Sequence, residues 1–121
     1  MNSAKVKAAL DEAMAIEGAL GACLVDYQSG MTLGTAGGMG MDLEMAAAGN
    51  TEVVRSKLRT MGALGLQERI EDVLFTLGTQ FHLIRMVRDN EFLFLYLALS
   101  KGPANLGMAK YQLCSAEQKL S

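Results

Sequence analysis

Residues 69–100 read RIEDVLFTLGTQFHLIRMVRDNEFLFLYLALS and decide the fold of the chain. Three β-rich runs are separated by the pairs Gly78-Thr79 and Asp89-Asn90, which are residue types that favour turns. We therefore predict three successive strands. The last of them, Phe92 to Leu99, is apolar at both alternating sets of positions, so other elements must cover both of its faces. This strand is predicted to lie at the centre of a sheet.

The sequence on either side of these strands adds helices and a hairpin. A first helix is predicted to begin at a cap on Ser3, and residues 21–35, GACLVDYQSGMTLGT, predict two short strands joined by a turn. A second helix is predicted from its N-cap at Asp42 to about Met61. After the strands, Asn105 is the predicted cap of a final helix. The predicted order is helix, two strands, helix, three strands, helix.

The segment GTAGGMGMD, residues 34–42, is the richest in glycine, and a glycine loop before a helix can bind phosphate. Gly38 and Gly40 form G-x-G, but the third glycine of the dinucleotide motif would fall on Leu43, and the segment contains no lysine. Asp42 also places a carboxylate where the phosphate would bind the helix terminus. We therefore predict a connecting loop, and we expect that the chain binds no nucleotide by itself.

The composition limits the partners and the compartment. The chain has 121 residues, half of them apolar, which favours a single domain over residues 1–121. A formal net charge of −2 without a basic cluster argues against nucleic acid or an anionic membrane as a partner. No apolar run approaches the roughly 18 residues of a membrane span, so no membrane insertion is expected. The two distant cysteines, Cys23 and Cys114, favour reduced thiols and a cytoplasmic location.

The chain contains no residue pattern typical of an enzyme. His82 is the only histidine, and a general base or a zinc site needs partners that the sequence does not place near it. Cys23 and Cys114 have neither a CxxC spacing nor a neighbouring histidine. Glu71 and Asp72 are adjacent, so a strand would point them to opposite faces. We expect no catalytic residue, no metal site and no cofactor.

Three segments together resemble the Roadblock family, whose members include dynein light-chain-type domains and bacterial and archaeal regulators of Ras-like GTPases. They are IEGALGACLVDYQSGMTLGTAG at residues 16–37, DLEMAAAGN at 42–50 and GPANLGMAKYQL at 102–113. Each segment is weak evidence alone, but their order and spacing extend over most of the chain. The resemblance implies an α+β fold: a five-stranded antiparallel sheet with helices on both faces, formed by a single Roadblock domain at residues 1–121.

The second helix has a broad apolar face that is interrupted by Asn50 and Lys57. An unpaired amide or ammonium group is costly in a core, so this face must reach an edge or an interface. Beside it, mostly small residues recur in a row that would let another helix come close. Roadblock domains typically dimerise through this helix and the third strand. The expected homodimer interface comprises Gly49, Asn50, Val53, Ser56, Lys57, Thr60, Val73, Phe75 and Leu77.

The function that the resemblance implies is binding without catalysis. We expect a homodimeric regulator or scaffold that binds a small Ras-like GTPase and modulates its GTP hydrolysis, with contacts from Glu52, Arg55 and Arg59 on the opposite face of the second helix. The two arginines are interpreted as contact charges in preference to an arginine finger. One alternative is a structural adaptor of a motor or signalling complex that contains no GTPase. A second alternative is a module that senses a small ligand, which is disfavoured because no convergent polar groups appear on the apolar faces.

Overall fold

The computed structural model describes residues 1–121 and has three helices and five strands in the predicted order. The predicted ends of the second helix and the last strand differ from the observed ones by only one or two residues. The elements are α1 Ser3–Met14, β1 Ala19–Asp26, β2 Met31–Gly37, α2 Leu43–Ala63, β3 Asp72–Thr76, β4 Gln80–Met86, β5 Leu93–Ser100 and α3 Leu106–Gln118.

β5 is the central strand of a single sheet with the strand order β2-β1-β5-β4-β3. All neighbouring strands are antiparallel. Every residue from Leu93 to Leu99 is buried, which confirms the predicted central position. Phe92 was predicted to begin this strand but lies outside it, because its φ of 72° is incompatible with an extended backbone.

The side chains of β5 alternate between two separate cores. Leu95 lies in a core with Leu10 of α1 and Leu113 of α3. Phe94 lies on the other side of the sheet, in a core with Val54 of α2. The first and last helices therefore cover one face and the second helix covers the opposite face, as expected for helices on both faces.

The helices begin at polar caps, one of which differs from the prediction. Asp42 and Asn105 each accept a backbone N–H from the first turn of the following helix at 3.0 Å, as predicted. The cap of α1 is Asn2 and not Ser3, because the Asn2 amide oxygen accepts a first-turn N–H at 2.7 Å. Ser3 is thus the first residue of the helix.

The glycine-rich segment is a tight connection between β2 and α2. Gly37, Gly38 and Gly40 have φ angles of 65°, 80° and 77°, a region that side chains rarely adopt. A Cβ atom at Gly38 would also lie 2.7 Å from Cδ1 of Leu43. The glycines are therefore explained by backbone conformation and by close packing of the loop on the start of α2.

A buried carboxylate that the sequence did not single out joins α3 to the sheet. Oε1 of Glu117 lies 3.4 Å from Nε of Arg85 on β4, and its Oε2 accepts the backbone N–H of Arg88 at 3.3 Å. Nη1 of Arg85 is also 3.8 Å from Oδ2 of Asp72 on β3. The network connects the edge strand to the helical layer.

Replacing Glu117 with Ala is expected to lower the free energy of unfolding by about 2–3 kcal/mol, because the Arg85 guanidinium would lose its main buried partner. The matched control is Asp11→Ala, which removes the exposed ion pair between Lys7 and Asp11. The control is expected to lose less than about 1 kcal/mol. Urea unfolding at one fixed protein concentration measures both changes. Equal losses in the two variants would show that the Glu117 network adds nothing beyond a surface pair.

Candidate protein interface

The sheet has two edge strands, β2 and β3, which differ in regularity. β3 pairs with β4 in an unbroken register from Asp72 to Thr76. β2 pairs with β1 through an irregularity, where the register shifts between Leu24 and Val25. Bulges protect a sheet edge from pairing with another chain. The outer edge of β3 is therefore better suited to accept a further strand.

A groove lies between α2 and the β3 side of the sheet, because α2 packs mainly across β1 and β2. We call it the interface groove. Its volume is about 350 Å³, and most of its lining is apolar. An apolar groove beside an open sheet edge is typical of a protein contact surface. The lining residues are Ala46, Gly49, Asn50, Val53, Phe75, Leu77, His82 and Tyr96.

The predicted row of mostly small residues on α2 is fully accessible. Gly49, Val53, Ser56 and Thr60 are all exposed. No atom lies within 4 Å of a Cβ built on Gly49, so a side chain there would meet only open space. Val53 is 39% exposed, so it does not belong to the core. Gly49 and Val53 thus line the interface groove, and Ser56 and Thr60 continue the row along a neighbouring depression.

The two polar residues on the apolar face of α2 are not enclosed in a core. Asn50 is half-buried, and its Nδ2 donates to the carbonyl of Ala46 in the same helix at 2.8 Å. Lys57 is exposed and forms no ion pair. The desolvation cost inferred from the sequence does not arise in the single chain, because this part of the helix is uncovered. That cost would arise only if another molecule covered the surface.

The three residues predicted on the third strand lie at or near the open edge. Val73 and Phe75 are half-buried and pack against the core under α2. Leu77 follows the end of β3 and is 45% exposed. Leu74, which was not predicted there, is 39% exposed and alternates with Val73 and Phe75, so it lies on the opposite face of the sheet from the groove. The edge therefore presents more apolar surface than was predicted.

His82 lies in the floor of the interface groove. Its Nδ1 lies 3.0 Å from the Tyr96 hydroxyl, and its Nε2 lies 2.7 Å from Oε1 of Gln80. Burial lowers the pKa of His82 below its ordinary value. Burial, together with the neighbouring Cys23, raises the pKa of Tyr96 to about 12. His82 is a half-buried residue with neutral partners, without the carboxylate that usually orients a catalytic histidine.

Arg55 has a structural role that the sequence did not indicate. It was placed with the solvated charges, but it is half-buried, and its Nε donates to the carbonyl of Tyr27 at 2.8 Å. A second guanidinium nitrogen donates to the carbonyl of Gln28. Thr51, one turn earlier, is buried against Gly30 in the same β1–β2 turn. Arg55 and Thr51 therefore hold this turn against α2, and the Arg55 guanidinium is not fully solvated.

The other two residues predicted to contact a GTPase remain accessible. Arg59 is exposed and forms no ion pair. The carboxylate of Glu52 is 70% exposed and lies 3.8 Å from Nη1 of Arg55. The two side chains are thus available for intermolecular contacts.

The structure offers little nucleophilic or metal-binding chemistry. Burial raises the pKa of the Cys23 thiol to about 12, so this group is a protonated thiol at neutral pH. No three His, Cys, Asp or Glu side chains converge as a possible metal site. None of the helices combines the length and the apolar character needed to cross a bilayer.

No protein-family model matches the chain, and no curated protein does. Solved structures, however, are similar. Myxococcus xanthus MglB has a TM-score of 0.85 at 17% identity, covering 97% of this chain and 85% of that one. A Roadblock/LC7 domain from Streptomyces avermitilis has a TM-score of 0.75 at 12% identity, covering 93% and 91%. The chain has the Roadblock fold. The gliding protein MglB from Thermus thermophilus agrees, with a TM-score of 0.80 at 20% identity and coverages of 99% and 90%.

The Roadblock fold confirms the architecture that the sequence resemblance implied. The segment at residues 16–37 forms β1, β2 and their hairpin turn, and the segment at 42–50 starts α2. The segment at 102–113 leads into α3 and forms its first half. The three segments thus occupy both outer parts of the chain and the start of its middle helix.

Replacing Arg55 with Ala is expected to lower the free energy of unfolding by about 1–3 kcal/mol, because two turn carbonyls would lose charged donors. Arg59→Ala is the matched control in the same helix and is expected to change stability by less than about 0.5 kcal/mol. Chemical denaturation of both variants gives the comparison. If Arg55→Ala is as stable as Arg59→Ala, Arg55 does not secure the β1–β2 turn.

Proposed function

We propose that the chain is a non-catalytic Roadblock-family regulator or scaffold that forms a homodimer and binds a small Ras-like GTPase. The observation that carries this proposal is the position of exposed Gly49 and Val53 on α2 beside the regular, open edge of β3. Two incompletely covered surfaces are thereby brought together on one side of the molecule. A second copy of the chain, related by a two-fold axis, contributes the same two surfaces, so each surface can contact its counterpart, as in an isologous dimer.

The proposed dimer has a two-fold axis between two β3 strands. Edge pairing of these strands joins the two sheets into one, and the α2 helices approach along their rows of mostly small residues. Gly49 and Ser56 allow close approach of the helix backbones. Asn50 and Lys57 then meet acceptors of the partner. A solved MglB structure named for its tetrameric arrangement, similar at a TM-score of 0.80 and 20% identity, supports self-association of this fold.

The GTPase part of the proposal rests on the family resemblance and on the accessible charges of α2. Glu52 and Arg59 lie on the solvated side of the helix, away from the core. The glycine segment of this chain has no lysine and packs on α2, so the phosphate-binding loop would belong to the partner. The chain would act on the GTPase by contact with its switch elements. An adaptor without a GTPase would share the dimer but would not bind such a partner.

Size exclusion with light scattering tests the dimer. At tens of micromolar, the wild type is expected to be dimeric, as a standard interface of roughly 1,600 Å² would ensure. Gly49→Leu is expected to be monomeric, because a branched side chain would separate the helices. The variant should stay folded as a monomer, since a side chain at residue 49 meets no other atom of the chain.

Gly62→Leu is the matched control for this substitution. Gly62 is also an exposed helix glycine with no atom within 4 Å of a built Cβ, but it lies on a different side of α2. The control is expected to remain dimeric. A monomeric wild type contradicts the dimer, and a dimeric Gly49→Leu variant places the contact on another surface.

A GTPase assay distinguishes whether Arg59 acts as a contact charge or as an arginine finger. We expect Arg59→Ala to weaken binding of the Ras-like GTPase several-fold, while the hydrolysis rate of the saturated complex stays within about threefold of wild type. Removal of an arginine finger would instead lower that rate by roughly a thousandfold with little loss of binding. Lys7→Ala on the opposite face of the sheet is the control for a general change in charge. A purely catalytic defect in Arg59→Ala would contradict the contact role.

A further inference from the structure

The interface groove contains the only histidine of the chain, and the proposed function assigns this residue no role. His82 projects from β4 toward α2, among Phe75, Leu77 and Tyr96. A histidine is the one side chain that ordinarily changes its charge between pH 5 and 8. Its position makes the charge of the groove floor dependent on pH.

The hydrogen bonds of His82 fit a neutral ring. Tyr96 is buried and keeps its proton at neutral pH, because its pKa is raised to about 12. Its hydroxyl can therefore donate to Nδ1 over 3.0 Å. Nε2 then carries the ring proton and donates to Oε1 of Gln80 over 2.7 Å. Both ring nitrogens are satisfied without a charge. A second proton on the ring would bind Nδ1, and its N–H would then face the proton of the Tyr96 hydroxyl. The hydroxyl group would have to rotate to accept this N–H.

No charged side chain lines the groove to stabilise a protonated ring. On α2, Glu52 and Lys57 lie further along the helix, around a neighbouring surface depression. Burial alone lowers the pKa of His82, and no neighbouring charged group contributes to this shift.

The strands that flank His82 add no counter-charge. On β3, Asp72 is directed to Arg85, which also contacts α3. After β5, the Lys101 ammonium lies over the ring of Phe81 and donates to the carbonyl of Leu77 at 3.2 Å, and as a cation it cannot balance a protonated ring. The Cys23 thiol beside Tyr96 is uncharged, since its pKa is about 12. A charged imidazole in this groove would therefore depend on water.

We propose that His82 makes the dimer pH-sensitive, because a second copy that covers the groove removes the water a protonated ring needs. This inference rests on the proposed dimer through α2 and β3. The dissociated chain binds the proton more readily than the dimer, so acidification favours dissociation. The dimer is fully stable while His82 is neutral and weakens as the pH falls through the titration of the free chain.

The size of the effect follows from linkage. Two rings are affected in each dimer, so the dissociation constant rises by up to a hundredfold per pH unit where the free chain is protonated and the dimer is not. We expect a rise of several-fold between pH 7.5 and pH 5.5 that steepens toward the lower pH. Carboxylates with ordinary pKa values titrate below this pH range, so they contribute little to the expected change.

Sedimentation equilibrium of the full chain at pH 7.5, 6.5 and 5.5 gives the dissociation constants. The wild type should follow the rise described above. His82→Gln retains hydrogen-bonding capacity but cannot titrate, and its dissociation constant should change less than about threefold over the same range. A constant value in the wild type, or an equal rise in His82→Gln, overturns the proposal.

A second measurement needs no change at His82. The ring is titrated by NMR in the wild-type dimer and in Gly49→Leu, which is expected to be monomeric. The pKa of His82 should be lower in the dimer, and equal pKa values in the two proteins overturn the proposal even if His82→Gln does not fold. A wild type that stays monomeric at every pH overturns the dimer itself and this inference with it, whereas a dimer insensitive to pH overturns the inference alone.

Discussion

Burial of β5 on both faces is the constraint on which the rest of the structure depends. Because every residue from Leu93 to Leu99 is buried, helices must lie on both sides of the sheet. Two helices, α1 and α3, cover one face, but α2 alone covers the other. A helix is about 10 Å wide and five strands span about 20 Å, so one helix cannot cover this face. α2 packs on β1 and β2, and only the strip along β3 remains partly open, where Val73 and Phe75 are half-buried.

The position of this open strip explains why one surface combines several unusual features. It ends at the regular edge of β3, whereas the edge of β2 is interrupted by a register shift. Exposed Val53 on one side and Leu77 on the other give it an apolar border. Its floor contains His82, whose partners are all neutral. A second copy would supply both the missing strand partner and a second helix, so the proposed self-association would relieve the same shortage of helical cover.

The sequence predicted the parts of the fold that depend on local pattern. The continuous apolar run of β5 and the caps Asp42 and Asn105 are recognisable within a few residues, and the structure confirms them. The structural roles of Arg55 and Glu117 were not predicted, because they depend on partners that are distant in sequence. Arg55 donates to carbonyls of the β1–β2 turn, and Glu117 contacts Arg85. No periodicity along a helix reveals such pairs. The interface residues stay predictions; most of them are exposed, and Asn50, Val73 and Phe75 are half-buried.

Hydrogen exchange along β3 tests the central claim most directly. Alternate backbone amides of an edge strand point away from its neighbour and exchange rapidly unless another strand pairs with them. If two β3 strands pair in the dimer, the outward amides among residues 72–76 will be protected in the wild type and will lose protection in Gly49→Leu. The outward amides of β2, residues 31–37, will exchange equally fast in both proteins and serve as the internal reference. Rapid exchange of the outward β3 amides in a wild-type dimer would contradict edge pairing and, with it, the interface on which the proposed function depends.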